Sequence, residues 1–564
     1  MFCNNHSGIR KDQVTSKPLF QYLTDFFKNP ARPATDDIGA YRDYVQQHGP
    51  SVDVVDGGKC NEKAGALRRE GNRLYLKKRF KPALEKYNES ICWALGDSED
   101  LALGYANRSA IYYEQGEYEL CLANIALARK HRYPELLQPK LQTREQNCKQ
   151  KIATGHSRCN YHFSALDFKA KVNDKIPAVA KDIIMKQMPE CGRGLVANRA
   201  FKVGEVILHE QPIMAAIDTQ VKYLNCDFCS NENFHSLIPC PKCPSVMFCN
   251  EECLENGQKY IHRFECGISE KLHHIRSDDY LGIRMFFYGL SLFDGNVGKM
   301  IKFCKSRPKT EVNPLKLDFK NHDRLKEFEL FHRVENNNEG YCDEEMYETA
   351  FRFLTAIYYK IYMTQPQIKS IFVQRRYKNF MLSSLLDYMR TAHFMAIGPG
   401  DKYTEQLFSF ASLCNHSCDP NTLSLYWSGQ LKFVVLRPIS KNEEILISYG
   451  PLYCEHTAAD RHYLTTRMFF ECICDACDPI SNAFTFKCMV TELLYPALAD
   501  MHMCPNPAIM LLTDKLRKLR NDIEVYSFVH PRDDFYAVLD DYRQCLTWAF
   551  VAEIDSSLRA KHVR

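Results

Sequence analysis

A chain of 564 residues is too long for a single hydrophobic core, and its 45% hydrophobic and 25% charged residues describe an ordinary globular protein without low-complexity bias. A formal net charge of +4 argues against a dominant polyphosphate-binding surface. No apolar run reaches membrane-spanning length, and residues 1–30 lack the apolar centre of a secretion signal. The expectation is an intracellular protein of roughly two to four domains, in cytoplasm and nucleus, without a membrane partner. In a reducing compartment its 25 cysteines favour metal over disulfides.

Residues 1–62 carry short apolar patches, Phe20 to Phe27 and Ile38 to Val45, that suggest two helices without an assignable function. From Lys63 to about residue 152 the pattern is helical and repeats. Gly71, Ala83 and Tyr87 supply small, small and aromatic residues where paired helices touch, and Ala110, Tyr113 and Pro134 fit a second unit. A helix from Leu136 to Lys151 would cap the apolar face. This segment resembles tetratricopeptide repeats. Arg68, Asn72, Asn107, Lys140 and Arg144 resemble the clamp with which such domains hold the C-terminal carboxylate of a chaperone tail. Cations and amides converging on one groove suit a doubly acidic peptide end.

After residues 152–180, read as a linker and a first strand, come Glu190-Cys191-Gly192-Arg193-Gly194 and Phe201 to Leu208. A glycine turn followed by two β-rich runs about Val203-Gly204-Glu205 predicts a meander. Residues 226–266 then give Cys226-x2-Cys229, Cys240-x2-Cys243, Cys249-x3-Cys253 and His262-x3-Cys266. Eight soft and borderline ligands in so short a stretch suffice for two closed tetrahedral zinc sites and leave little room for a core. Metal would supply the folding free energy there, on the order of 10 kcal/mol per site. The ligand order resembles the MYND zinc finger. That resemblance implies that Cys226, Cys229, Cys249 and Cys253 share one ion, and Cys240, Cys243, His262 and Cys266 another. It also implies an exposed surface for proline-rich peptides. The spacing is not that of a C2H2 finger and no basic stripe appears, so nucleic acid is not an expected partner. Between Gly267 and Gln406 the pattern is helical, with apolar runs at Tyr280–Phe293, Glu344–Met363 and Leu382–Met395.

The densest motif follows: Asn415-His416-Ser417-Cys418-Asp419-Pro420-Asn421, then Glu444 to Gly450, then Cys472-Ile473-Cys474-Asp475-Ala476-Cys477. With the upstream Gly192-Arg193-Gly194 turn, this order resembles SET-domain methyltransferases. A SET domain split by a MYND finger resembles the SMYD family, in its branch with N-terminal tetratricopeptide repeats. The implied fold is α+β and multidomain: helical repeats (63–152), a β-rich split SET domain (180–455) holding the finger (226–266), a post-SET zinc region (456–480) and short C-terminal helices (481–564). The expected helices there are Ala483–Met501, Ile509–Tyr526 and Phe535–Leu558.

The resemblance implies an enzyme, a protein-lysine N-methyltransferase using S-adenosylmethionine on histone or other lysines, with a role in transcription. Cys191, Gly192, Arg193, Gly194, Asn415, His416 and Phe470 would contact the cofactor, although relatives usually carry a basic residue at the position of Cys191. Tyr449 would place its hydroxyl near the reacting atoms as the catalytic residue. Cys418, Cys472, Cys474 and Cys477 would form a third structural zinc site. The competing reading is a scaffold in which finger and repeats bind partners and the SET core is catalytically weak.

Overall fold

The computed structural model describes Arg42 and residues 58–156, 162–188, 191–232, 237–273, 277–307, 313–321, 323–334, 344–398, 404–466, 468, 470–477, 506–526 and 533–561. The helices expected at Phe20–Phe27 and Ala483–Met501 lie outside these residues, as does Ile38–Val45 apart from Arg42.

In chain order the longer helices are α1 (Asn61–Leu76), α2 (Phe80–Trp93), α3 (Glu99–Glu114), α4 (Tyr118–Lys130), α5 (Gln138–Ala153), α6 (Glu251–Tyr260), α7 (Ser277–Leu292), α8 (Val297–Ser306), α9 (Arg324–His332), α10 (Glu344–Tyr362), α11 (Arg375–Met395), α12 (Ala458–Thr466), α13 (Asn506–Tyr526) and α14 (Asp533–Lys561). The strands are β1 (Ile183–Met188), β2 (Gly192–Ala197), β3 (Val206–Glu210), β4 (Met214–Ile217), β5 (Ile238–Pro239), β6 (Met247–Phe248), β7 (Ala396–Ile397), β8 (Thr404–Leu407), β9 (Asn415–His416), β10 (Thr422–Trp427), β11 (Gln430–Val435) and β12 (Leu446–Ile447). None of the described helices is long and apolar enough to cross a membrane.

The chain divides into two compact units. The first comprises the described residues of Met1–Thr154, Ile213–Val312 and Arg324–Leu407. Helices α1 to α4 pack as successive antiparallel pairs with α5 against α4. The residue choices follow from the close approach: a Cβ on Gly71 would strike the Tyr87 ring, so only glycine lets α1 lie this near α2. Ser98 starts α3 by accepting the Leu101 N–H on its hydroxyl, the ordinary use of serine at a helix N-cap.

The helical array and the cysteine-rich segment share one core, in which Leu84, Tyr87, Ile91 and Tyr105 are buried with Leu237, Val246 and Phe248. Polar groups seal that junction. Arg108, fully buried, donates to Asn88 Oδ1, Asn124 Oδ1 and the Leu237 carbonyl at 2.7–2.9 Å. Asn88 in turn donates to the Tyr223 carbonyl at 3.0 Å. The rest of this unit contains a three-stranded sheet, ordered β4-β8-β7, and a helical group in which α7 packs on α11 with α8, α9 and α10 around them.

The second unit comprises the described residues of Gly155–Pro212, Asn313–Asp323 and Phe408–Arg564. It holds a β1–β2 hairpin, an antiparallel β10-β11-β3 sheet and a short parallel pair of β9 with β12. The expected meander through Gly192 to Leu208 is corrected here: β2 pairs with β1, whereas β3 pairs with β11 in a different sheet. Gly204, with φ at +79°, turns the chain between them, so the two runs diverge instead of pairing. Helices α13 and α14 pack on each other, and α14 lies on β10. Their Leu516, Ile523, Tyr542, Leu546 and Phe550 close the core over Leu425 and Val434.

Candidate functional site

Three sets of ligands converge. Cys226, Cys229, Cys249 and Cys253 form one; Cys240, Cys243, His262 and Cys266 a second; Cys418, Cys472, Cys474 and Cys477 a third, with the ligand atoms of each set within 4.8 Å of one another. Neighbouring sulfurs stand 3.4 to 3.9 Å apart, too far for a disulfide. Those separations approach the edge of a tetrahedron with metal–sulfur bonds of about 2.3 Å, which is about 3.8 Å. The donor chemistry therefore fits a closed metal site at all three places. Asn250 assists the first: its side chain caps α6 by accepting the Cys253 N–H at 2.7 Å, which fixes a ligand on the first turn. The thiols of the third set share protons among themselves: hydrogen bonds from Cys418, Cys472 and Cys477 push Cys474 below its ordinary pKa, whereas hydrogen bonds from Cys472, Cys474 and Cys477 push Cys418 above it.

Around the third set the signature segment builds a cleft within the second unit. Asn415 donates its amide to the Arg193 carbonyl at 3.0 Å and to Glu444 Oε1 at 2.7 Å, so β9 grips β2 and the loop before β12 together. Gly194 lies beneath this amide; any Cβ there would overlap Glu444 Oε1 and Asn415 Nδ2. Gly192 differs: it has φ at +71° with open space on its side-chain face. Exposed Cys191 stands beside it. Arg193 contributes its carbonyl to Asn415.

His416 accepts the Tyr449 backbone N–H on Nδ1 at 3.0 Å, and its Nε2 stands 3.3 Å from Cys418 Sγ. Burial lowers its pKa to about 4, so the ring is neutral near pH 7, and with Nδ1 accepting, the proton is on Nε2, facing the sulfur. Tyr449 donates its hydroxyl to the Cys414 carbonyl at 2.6 Å while 41% of the residue stays exposed. Burial of the hydroxyl, then the nearby Cys414, Cys191 and Glu444 side chains, push its pKa up, which keeps it a neutral phenol. Phe470 completes an aromatic group with His416 and Tyr449, ring centroids 5.3 to 5.9 Å apart.

All eight residues singled out for cofactor contact and catalysis thus lie in one unit. Asn415 binds Arg193 directly, and His416, Tyr449 and Phe470 form one cluster. Four supporting residues were not assigned roles from sequence. Glu444 receives the Asn415 amide. Asn421 clamps the other end of the run, donating to the Glu444 carbonyl at 2.8 Å and accepting the Leu446 N–H at 2.9 Å. Buried Glu210 accepts the backbone N–H groups of Ser409, Phe410 and Ala411, fixing the turn that leads into Cys414. Arg461 donates to the carbonyls of His456 and Ala476 at 2.9 and 2.6 Å, which steadies the last cysteines. Asn421 and Glu444 lie inside the motif and so had a signal of position; isolated Glu210 and Arg461 had none.

The five clamp residues fall on the helical array with different fates. Asn107 donates to Asn72 Oδ1 at 2.8 Å, so the two amides do converge. Arg68 is already paired with Asp100 at 3.1 Å, and Arg144 donates to the Ala106 carbonyl and Ser109. Lys140 is exposed.

The fold and the site define a SET-domain protein: residues 192–450 match the SET domain family. Among curated proteins the chain is similar to "Protein-lysine N-methyltransferase SMYD4" of Pongo abelii, 24% identical over 537 residues, covering 73% of this chain and 66% of that protein. It is also similar to the Danio rerio protein of the same name, 24% identical over 502 residues, covering 74% and 66%. "N-lysine methyltransferase SMYD2-A" of Xenopus laevis is 26% identical over 346 residues, covering 60% and 68%. These three relatives are SMYD proteins, at 24–26% identity. The chain spans about two thirds of the length of the curated relatives it matches.

Proposed function

We propose that the chain is a protein-lysine N-methyltransferase that uses S-adenosylmethionine, with structural zinc at the three cysteine-rich sites. The observation that carries this reading is the meeting of the Tyr449 hydroxyl, the Cys414 carbonyl, and the His416 and Phe470 rings beside the Gly192 turn. The open side-chain face of Gly192, the half-exposed Tyr449 and the aromatic walls fit a flat, partly apolar cofactor. Cys191, Gly192, Arg193, Gly194, Asn415, His416 and Phe470 would hold it. When bound, S-adenosylmethionine supplies an electrophilic methyl group carried on a sulfonium.

The residues of the chain then have limited work. They bring a neutral lysine amine to near-attack distance and exclude water, which accounts for most of what methyl transfer needs. Tyr449 is locked by its bond to the Cys414 carbonyl, so its oxygen offers a fixed negative lone-pair region to a positively polarised group. Its raised pKa removes it as a base near pH 7, and Glu444 is engaged by Asn415. The proton of the lysine therefore leaves to water. Which protein supplies the lysine is a matter for substrate screening on histone and non-histone targets.

Calorimetry of S-adenosylmethionine on the full chain, with a methylation assay of wild type against Tyr449→Phe, tests the reading. Binding with turnover that falls at least about a hundredfold in the variant supports it, the scale for losing one preorganised group. No measurable cofactor affinity would exclude an enzyme. Affinity without turnover on any lysine substrate would favour the scaffold.

A further inference from the structure

Beneath the two cysteine-rich sets of the first unit lies a charged cluster that the candidate site does not use. Arg284, on α7, is fully buried, and so are its partners Asp227 and Glu265. Its Nε donates to Glu265 Oε1 at 3.2 Å, and its Nη1 to the Ala215 and Asp227 carbonyls at 2.7 and 2.8 Å. Its Nη2 meets Asp227 Oδ1 and Glu265 Oε2, both at 2.8 Å, and the Tyr280 hydroxyl at 3.1 Å. From α10, Tyr362 donates its hydroxyl to Glu265 Oε1 at 3.1 Å. A buried guanidinium so completely bonded cannot shift without stranding charge.

What makes this more than a core ion cluster is where the two carboxylates sit in the chain. Asp227 lies between Cys226 and Cys229, inside the first knuckle of one set. Glu265 lies between His262 and Cys266, the last two ligands of the other. A ring nitrogen of His262 and one oxygen each of Asp227 and Glu265 lie within 4.8 Å of one another, and buried His262 Nδ1 has no hydrogen-bond partner. Metal-bound imidazoles ordinarily have their second nitrogen steadied by a carboxylate, and loss of such outer partners weakens metal binding about 10- to 100-fold.

We propose that Arg284 is a positioning residue for both metal centres of the first unit: by gripping Asp227 and Glu265 together, it makes ion binding at one centre depend on the other. The proposal rests on reading the two sets as metal centres. A single rigid guanidinium is the only cation bonded to both knuckles among the described residues. Its planar fork transmits the position of one carboxylate to the other, which a lysine could not do.

The test uses the full chain loaded with cobalt(II), whose ligand-field bands separate the three-sulfur, one-nitrogen centre from the four-sulfur ones. Cys229→Ser disables the first centre, and cobalt affinity of the Cys240/Cys243/His262/Cys266 centre is read against a competing chelator. In the wild-type background Cys229→Ser should weaken that centre at least about tenfold. In an Arg284→Met background the same change should weaken it by less than about twofold, because the coupling is gone. Arg284→Met alone should weaken it about tenfold or more, and Arg284→Lys, which keeps charge without the fork, should not restore the coupling. Should Arg284→Met lose its helical circular dichroism, Tyr362→Phe, which removes one bond to Glu265, should still reduce the coupling. Equal coupling in all backgrounds, or full affinity in folded Arg284→Met, overturns the proposal. Absence of any three-sulfur, one-nitrogen spectrum in wild type would instead overturn the reading of that set as a metal centre.

Discussion

Replacing Gly194 by alanine is the smallest change that probes the packing of the signature segment. The added methyl would overlap Glu444 Oε1, lie 2.9 Å from Asn415 Nδ2 and 3.1 Å from Met188 Cγ. Glu444 has a flexible end, but the methyl meets both atoms of the Asn415–Glu444 bond, and the Asn415 amide it displaces is also the donor to the Arg193 carbonyl. The Asn415–Glu444 bond, at 2.7 Å, is to a carboxylate and contributes about 1.5–3 kcal/mol; the Asn415–Arg193 bond adds about 1 kcal/mol. Losing both sets an upper bound of roughly 4 kcal/mol, and a relaxed Glu444 side chain that regains water would recover part of it. A loss of at least about 1.4 kcal/mol in cofactor binding is expected, a tenfold rise in Kd by calorimetry. Gly192→Ala is the comparison for the clash alone, read by amide exchange and not by affinity: within the chain its side-chain face is open and only the left-handed backbone opposes alanine, at roughly 1–2 kcal/mol, but the methyl would enter the proposed cofactor cradle. The signature of the clash is faster amide exchange at Leu446 and Ile447 in Gly194→Ala and not in Gly192→Ala. Wild-type affinity and exchange in Gly194→Ala would refute the packing argument.

Glu210→Gln leaves three backbone N–H groups with one acceptor oxygen where a carboxylate offered two, and should destabilise the second unit by about 2–4 kcal/mol in denaturant titrations. His273 is held neutral, with burial lowering its pKa to about 4 against an unfolded value near 6.5. The unfolded chain therefore binds the extra proton, and the stability that neutrality contributes, up to about 3 kcal/mol, is present above pH 6.5 and lost as pH falls toward 4. The unfolding free energy of wild type should fall more steeply between pH 6.5 and 5 than that of His273→Gln; parallel slopes would contradict the assignment. Chelation of the intact protein should release three ions per chain by elemental analysis, with loss of cofactor binding once the Cys418 centre empties, since His416 and Cys418 share that segment. Arg461→Met should ease release of that third ion at least about tenfold without changing the spectrum of the three-sulfur, one-nitrogen centre.

Much of this protein could be read from its sequence because metal chemistry and close helix contacts leave local marks. Cysteine pairs at two- and three-residue spacing require no knowledge of the fold, since a tetrahedral ion imposes the spacing. Gly71 and Tyr87 were legible for a similar reason: a small residue facing a ring is a local demand of paired helices. The signature Asn415-His416-Ser417-Cys418 is short enough to carry its identity within one turn of chain.

The residues that organise these motifs left no such mark. Glu210 and Arg284 are single charged side chains with unremarkable neighbours in sequence, and Glu444 and Arg108 sit inside noted runs that do not show what they bind; each acts on backbone or side chains tens to hundreds of residues away. The divergence of β2 and β3 into separate sheets was likewise invisible, because β-rich runs about a glycine turn look the same whether or not they pair. So did the shared core of the helical array and the cysteine-rich segment, which the sequence presents as successive modules. The sequence by itself determined which atoms can bind metal and which segment carries the tyrosine. Only the tertiary structure decided what holds them, because buried charges must be paired by whatever the fold brings near, and that is a property of space and not of spacing.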